Sequence, residues 1–252
     1  MGKRLVVGNW KMHFVREEAR GLARDLLRAV PCGGRVNVVI APPFTSLAAV
    51  HEEINGTHIE LAAQNVCWET HGEFTGEVSA PMLLDCGCKW VIVGHSERRG
   101  IFHETDWMIA RKLKTCLEFG LTPILCIGET REERVEGLTE RVLQSQVLSA
   151  LEGIKLSTEE TIAIAYEPVW AIGTGKTTTR EDLLHIRGFL NTTLSHLFGN
   201  LSFGIRFLYG GSVNEDNINY LLGSSAIDGV LVGGASIRAE SFIKIIKAAE
   251  EN

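Results

Sequence analysis

Short apolar runs rich in valine and isoleucine recur along the chain, at residues 5–7, 36–41, 59–63, 90–93, 123–127, 161–166, 205–209 and 229–232. Each is apolar on both alternations, so both faces need cover, as in a parallel sheet flanked by helices. Longer stretches with helical spacing lie between them. Ala19, Leu22, Ala23, Leu26, Leu27 and Val30 form one stripe; Ile109, Leu113, Cys116 and Leu117 form another, with Gly120 as a C-terminal stop. Leu183, Ile186, Leu190, Leu194 and Leu197 repeat the pattern, as do Phe242, Ile245, Ile246 and Ala249. The 252 residues divide among eight strand–helix units at about 31 each, the length one such unit needs. The reading is an α/β chain, a single-domain (β/α)8 barrel over residues 1–252 with no linker. A doubly wound open sheet is the alternative, but Gly8 is followed by Asn9, Trp10 and Lys11 where its dinucleotide fingerprint would begin.

Composition narrows the classes. With 45% hydrophobic residues and a net charge of −6, the chain is neither disordered nor basic enough to track nucleic acid or an anionic membrane surface. No window approaches the roughly 18 apolar residues of a membrane span. The apolar run after Lys3 and Arg4 stops at Gly8, short of a signal-peptide core, so a cytoplasmic protein is expected. The six cysteines, Cys32, Cys67, Cys86, Cys88, Cys116 and Cys126, show no zinc or redox spacing and are expected to be free, buried thiols. Neither a metal nor a cofactor is implied.

A parallel barrel points the C-terminal end of every strand at one mouth, so the residues just past each run converge. Those exits carry Asn9-Trp10-Lys11, Gln64-Asn65, Gly94-His95-Ser96-Glu97, Gly128-Glu129, Glu167-Pro168, Gly210-Gly211-Ser212 and Gly233-Gly234. Singly, each has an ordinary explanation: a loop histidine, a glutamate favouring a helix N-terminus, a solvated lysine, a glycine turn. Together they make a rim of ionisable groups and glycines. The backbone N–H groups of Gly173, Ser212, Gly233 and Gly234 could point at one anion, aided by a helix start after strand eight. The segment after Glu167 carries Val169, Trp170, Ala171 and Ile172 and then Gly173-Thr174-Gly175, which reads as a lid with an apolar underside, or as a loop packed on the rim. Two tempting motifs fail. A P-loop ending at Lys176-Thr177 would need glycine at Trp170, and a nucleophile elbow around Ser96 would need glycine at Arg98.

In order and spacing, the blocks Asn9-Trp10-Lys11-Met12, Gly94-His95-Ser96-Glu97-Arg98-Arg99, Ala165-Tyr166-Glu167-Pro168-Val169-Trp170, Tyr209-Gly210-Gly211-Ser212 and Gly233-Gly234 resemble those of the triosephosphate isomerase family over essentially the whole length. The resemblance implies interconversion of dihydroxyacetone phosphate and D-glyceraldehyde 3-phosphate through an enediolate, in glycolysis and gluconeogenesis. It implies Glu167 as the base, His95 as the electrophile on the carbonyl, Lys11 as the cation beside the developing charge and Asn9 as a nearby donor, with Glu97 in support. Gly173, Ser212, Gly233 and Gly234 would hold the phosphate together with Asn9 and Lys11. It also implies a homodimer through the loop that opens on Gln64 and closes on Ser79, with Thr75 bracing the neighbour's site. The chain departs from the family at His13, Glu73 and Cys88.

Other readings fit less well. A glycosidase using Glu97 and Glu167 would leave the glycine-lined anion site unused. A Schiff-base aldolase wants a lysine inside the barrel, and a non-catalytic phosphosugar-binding barrel has no need of Glu167.

Overall fold

The computed structural model describes residues 3–156, 162–172 and 177–252. Eight parallel strands alternate with helices: β1 (Arg4–Asn9), α1 (Arg16–Ala29), β2 (Val36–Ala41), α2 (Leu47–Ile54), β3 (Ile59–Ala63), α3 (Ala80–Asp85), β4 (Trp90–Val93), α4 (Ser96–Ile101), α5 (Asp106–Glu118), β5 (Thr122–Ile127), α6 (Arg131–Val135), α7 (Thr139–Leu151), β6 (Ala163–Tyr166), α8 (Arg180–Phe198), β7 (Arg206–Tyr209), α9 (Ile218–Leu222), β8 (Gly229–Val232) and α10 (Ala239–Glu251). Each strand pairs with the next in sequence, and β8 pairs back to β1, with Leu5 opposite Gly229, so the sheet is a closed barrel. The open-sheet alternative is therefore excluded.

Strand parity sorts the apolar residues into two layers. Leu5, Val7, Val39, Ala41, Ala62, Ile92, Ile124, Cys126, Ala163, Ala165, Leu208 and Leu231 pack together inside the barrel. Their neighbours Val6, Val38, Ile40, Leu61, Val91, Val93, Leu125 and Ile164 join the helices in the larger outer core. That is why the runs are apolar on both alternations: one face fills the barrel and the other seats the helices. Each fully buried Val, Leu or Ile contributes about 1.5–3 kcal/mol, so the double layer is the main source of stability.

The helical stripes face inward as their spacing predicts. Ala19, Leu22, Ala23 and Leu26 are the buried positions of α1. At the end of α5, Gly120 adopts φ +74°, its N–H bonding the Leu117 carbonyl and that of Leu121 the Cys116 carbonyl, a Schellman closure. Several bounds differ from the sequence reading. β1 runs one residue further at its start and two at its end, β5 starts at Thr122, and Ile205 is left out of β7 because its N–H closes a turn onto Ser202. The expected start of strand six at Thr161 lies outside the described residues. No helix among the described residues is long and apolar enough to cross a membrane.

All six cysteines are free, but they are not uniformly buried: Cys32, on the loop after α1, is exposed and Cys86 is half-buried. Burial pushes the Cys88 and Cys116 thiols up to about 12 and the Cys126 thiol well above the ordinary range. Titration of the folded protein with an aromatic disulfide reagent, mapped by mass spectrometry, is expected to label Cys32 quickly and Cys86 slowly. Cys67, Cys88, Cys116 and Cys126 should react only after unfolding, and prompt labelling of any of these four would contradict the packing described.

Candidate active site

The interior parity of the strands, followed to the last residue of β1 and one step past the ends of the other four, reaches Asn9 after Val7, Gln64 after Ala62, Glu167 after Ala165, Gly210 after Leu208 and Gly233 after Leu231. These residues meet at one mouth, where the apolar filling gives way to polar groups. The centre of the cluster is the pair His95 and Glu167, with 3.1 Å between the imidazole Nε2 and the carboxyl Oε1. Both are buried, Glu167 to within 2% of complete burial.

Local geometry fixes each partner. β4 breaks at Gly94, whose φ of +72° a side chain would resist, and the turn delivers His95 as the N-cap of α4. The N–H of Glu97 donates to His95 Nδ1 at 3.2 Å, so the neutral ring carries its proton on Nε2, the nitrogen facing Glu167. Glu167 follows β6 directly. Its N–H donates to the Ile127 carbonyl at 2.7 Å, and its Oε2 accepts the Ser96 N–H at 2.8 Å. Space for this strand end comes from Gly128 and Gly210. A methyl on Gly128 would lie 1.8 Å from the Glu167 carbonyl oxygen, and one on Gly210 would lie 2.8 Å from Glu167 Cγ. A buried carboxylate is costly unless hydrogen-bonded, and here two N–H donors converge on it.

Lys11 stands on the opposite side of the mouth with a backbone φ of +50°. Its own N–H donates to Asn9 Oδ1 at 3.0 Å, and its ammonium meets Glu97 Oε1 at 2.5 Å. The Gln64 amide steadies this turn from β3 by donating to the carbonyls of Lys11 and Ala41. With both partners partly exposed, the Lys11–Glu97 pair contributes little to stability, at most about 1 kcal/mol. Its effect is to hold the ammonium over the mouth. Gly233 lies beside it: a methyl there would sit 3.2 Å from Lys11 Cε.

The strand-seven and strand-eight exits complete the rim. Ser212 is half-buried and its hydroxyl donates to the Ala171 carbonyl at 2.8 Å, tying this exit to the segment after Glu167. Gly234 opens a single 3-10 turn, Gly234–Ile237, while α10 begins only at Ala239. The expected helix start directly after strand eight is thus one short turn, because Ser236 folds back to bond the Gly233 carbonyl through both its N–H and its hydroxyl. Gly173 lies outside the described residues. Thr75 is exposed on the loop after β3 and takes part in none of the contacts just described.

Three contributors carry no assigned role in the sequence reading. Glu129, fully buried at the β5 exit, accepts at Oε1 from the Tyr166 hydroxyl at 3.1 Å, the Trp170 indole at 2.9 Å and Arg134 at 3.2 Å. Arg134 also lies over the Trp170 ring at 4.5 Å. The apolar start of the segment after Glu167, a 3-10 turn over Val169–Ala171, is therefore docked on a polar latch. Burial, reinforced by Glu129, pushes the Tyr166 phenol up and keeps it a donor. Ser96 contributes only a backbone N–H, which residue type does not encode. The third, Cys126, lines the barrel directly beneath Glu167, whose negative charge adds to burial in holding its thiol protonated. A strand-exit glutamate is a visible signal, whereas the other two need coordinates. No cluster of three or more potential metal ligands occurs among the described residues.

Comparison with known proteins shows the family of the chain. The family model for triosephosphate isomerase matches residues 4–249. A triosephosphate isomerase of Carboxydothermus hydrogenoformans is 47% identical over 250 residues, covering 99% of this chain and 100% of the relative. One from Aquifex aeolicus is 45% identical over 97% of this chain and 98% of its own length. The crystal structure of triosephosphate isomerase from Bartonella henselae superposes with a TM-score of 0.89 at 34% identity, covering 98% of both chains. The chain belongs to the triosephosphate isomerase family and is an isomerase that interconverts dihydroxyacetone phosphate and D-glyceraldehyde 3-phosphate.

Proposed function

We propose that Glu167 is the base that moves the proton between the two carbons of the triose phosphate, and that the isomerisation runs in the mouth bounded by Asn9, Lys11, His95 and Glu167. The observation that carries this reading is the buried carboxylate 3.1 Å from an imidazole whose Nε2 bears the proton. General base catalysis contributes about 10²–10⁴-fold, which is too little for a carbon acid by itself, so the enediolate oxygen needs preorganised donors. His95 Nε2–H and the Lys11 ammonium supply them, with Asn9 holding the Lys11 backbone and Glu97 holding its side chain. In the resting arrangement the Ser96 N–H occupies one oxygen of Glu167, and substrate takes over that environment as the carboxylate turns to the carbon-bound proton.

The phosphate is assigned to the N–H groups of Gly173, Ser212, Gly233 and Gly234, beside the Lys11 charge. The Val169–Ala171 turn is the near part of a lid over the mouth, whose closure excludes water and discourages loss of phosphate from the enediolate. The active form is read as a cytoplasmic homodimer of single-domain chains, needing no cofactor. Exposed apolar side chains on the loops after β1, β3 and α4 support the interface, among them Met12, Phe74 and Phe102. Thr75, beside Phe74, reaches the partner's Asn9–Lys11 turn in this reading.

Replacing the base, Glu167→Gln, is expected to lower kcat by about 10²–10⁴-fold with little change in KM. Exchange of solvent deuterium into dihydroxyacetone phosphate should fall in parallel; a variant that loses affinity alone would remove Glu167 from the role. Lys11→Ala should reduce kcat/KM by roughly 10²–10³-fold through both constants, because its charge faces a dianion in ground and transition states alike. Unchanged kinetics would take Lys11 out of the site. Phe74→Asp should shift the sedimentation coefficient to that of the monomer and depress activity, and an unaltered dimer would count against the loop 64–79 as the interface.

A further inference from the structure

Arg99 lies one turn of α4 beyond His95, largely buried, and none of the roles above uses it. The β4–β5 ladder ends with Val93 opposite Leu125, and the next rung would pair Gly94 with Cys126. It is missing because the positive φ of Gly94 turns the chain away toward His95. The guanidinium of Arg99 fills the gap. Its Nε donates to the Gly94 carbonyl at 2.8 Å and one terminal nitrogen to the Cys126 carbonyl at 3.3 Å, while the other meets Asp106 Oδ1, at the first residue of α5, at 2.6 Å. The fork and Ile109 leave little room for a side chain at Gly94, since a methyl there would lie 3.3 Å from the Arg99 terminal nitrogen and 3.0 Å from Ile109 Cδ1.

The two carbonyls it joins lie next to the backbone that holds His95 and Glu167. Gly94 immediately precedes His95. Cys126 immediately precedes Ile127, whose carbonyl accepts the Glu167 N–H. We propose that Arg99 is a positioning residue for the isomerisation: its planar fork sets the separation between the turn that carries His95 and the end of β5, whose Ile127 carbonyl holds the Glu167 backbone. The geometry needs a guanidinium in particular. Two carbonyls of different strands and a carboxylate on a third element are reached in one plane by donors in fixed directions, whereas an ammonium on a flexible stem is a single point. A shift of about 1 Å between reacting groups costs on the order of 10²-fold in rate.

The inference rests on the roles assigned to His95 and Glu167, so Glu167→Gln is measured alongside and reports on those roles separately. Arg99→Lys keeps the charge and is expected to lower kcat about tenfold, and Arg99→Met about 10²-fold, with KM for glyceraldehyde 3-phosphate within about threefold of the parent in both. Ile109→Val loosens the same wall without removing a donor and is expected to keep kcat near the parent value, even where its Tm falls as far as that of Arg99→Lys. A kcat within twofold of the parent in Arg99→Lys overturns the proposal, as does a KM that rises in step with the loss of rate, or an equal loss of kcat in Ile109→Val. If Arg99→Met does not fold, the lysine variant decides by the same criteria. Full activity in Glu167→Gln would remove the assignment beneath the proposal, a result distinct from normal kinetics in Arg99→Lys with an inactive Glu167→Gln.

Discussion

Closing eight parallel strands on themselves leaves no free sheet edge and points every carbonyl end in one direction. A sheet so closed has a single mouth, and side chains of the inward parity beyond each strand must enter it. Asn9, Gln64, Glu167, Gly210 and Gly233 come from five strands up to 224 positions apart, yet the barrel brings them to one rim. The filling beneath them, from Leu5 and Val7 to Ala165 and Leu231, is dry and packed, so the mouth has a floor. A charged group placed there loses bulk water and depends on the donors the protein supplies.

That dependence organises the site. Glu167 is nearly fully buried, and its carboxyl is held by a backbone N–H from the start of α4 and by the imidazole that caps the same helix. One short helix therefore orients both members of the buried pair, and the peptide dipoles at its start lie beside the carboxylate. On the far side, the Lys11–Glu97 contact returns to α4 again. Three of the ionisable groups thus share one structural reference, and the ladder gap filled by Arg99 ties that reference to β5 and, through Ile127, to Glu167.

The segment after Glu167 is held differently. Its Trp170 is seated by a hydrogen bond to Glu129 and by the Arg134 cation over its ring, while Glu129 Oε2 is buried with no hydrogen-bond partner among the described residues. Ser212, bonded to the Ala171 carbonyl, links this segment to the strand-seven exit.

Strand positions, helix stripes, the parallel class and the list of rim residues were legible in the sequence, because doubly apolar runs and 3.6-residue stripes are local consequences of burial on two faces. The blocks around Asn9, His95, Glu167, Ser212 and Gly233 likewise pointed to the family. The sequence could not show which backbone N–H meets the carboxylate, as with Ser96, because an amide looks the same in every residue. Nor could it show that Glu129 latches Trp170, that Ser236 reduces the expected helix start to a single turn, or that Arg99 replaces a missing rung between two strands. Those contacts join groups far apart in the chain or depend on where a strand breaks. Local propensity determined the elements and their order, but the closure of the barrel decided which atoms came within hydrogen-bonding distance, since only the three-dimensional register converts separation along the chain into separation in space.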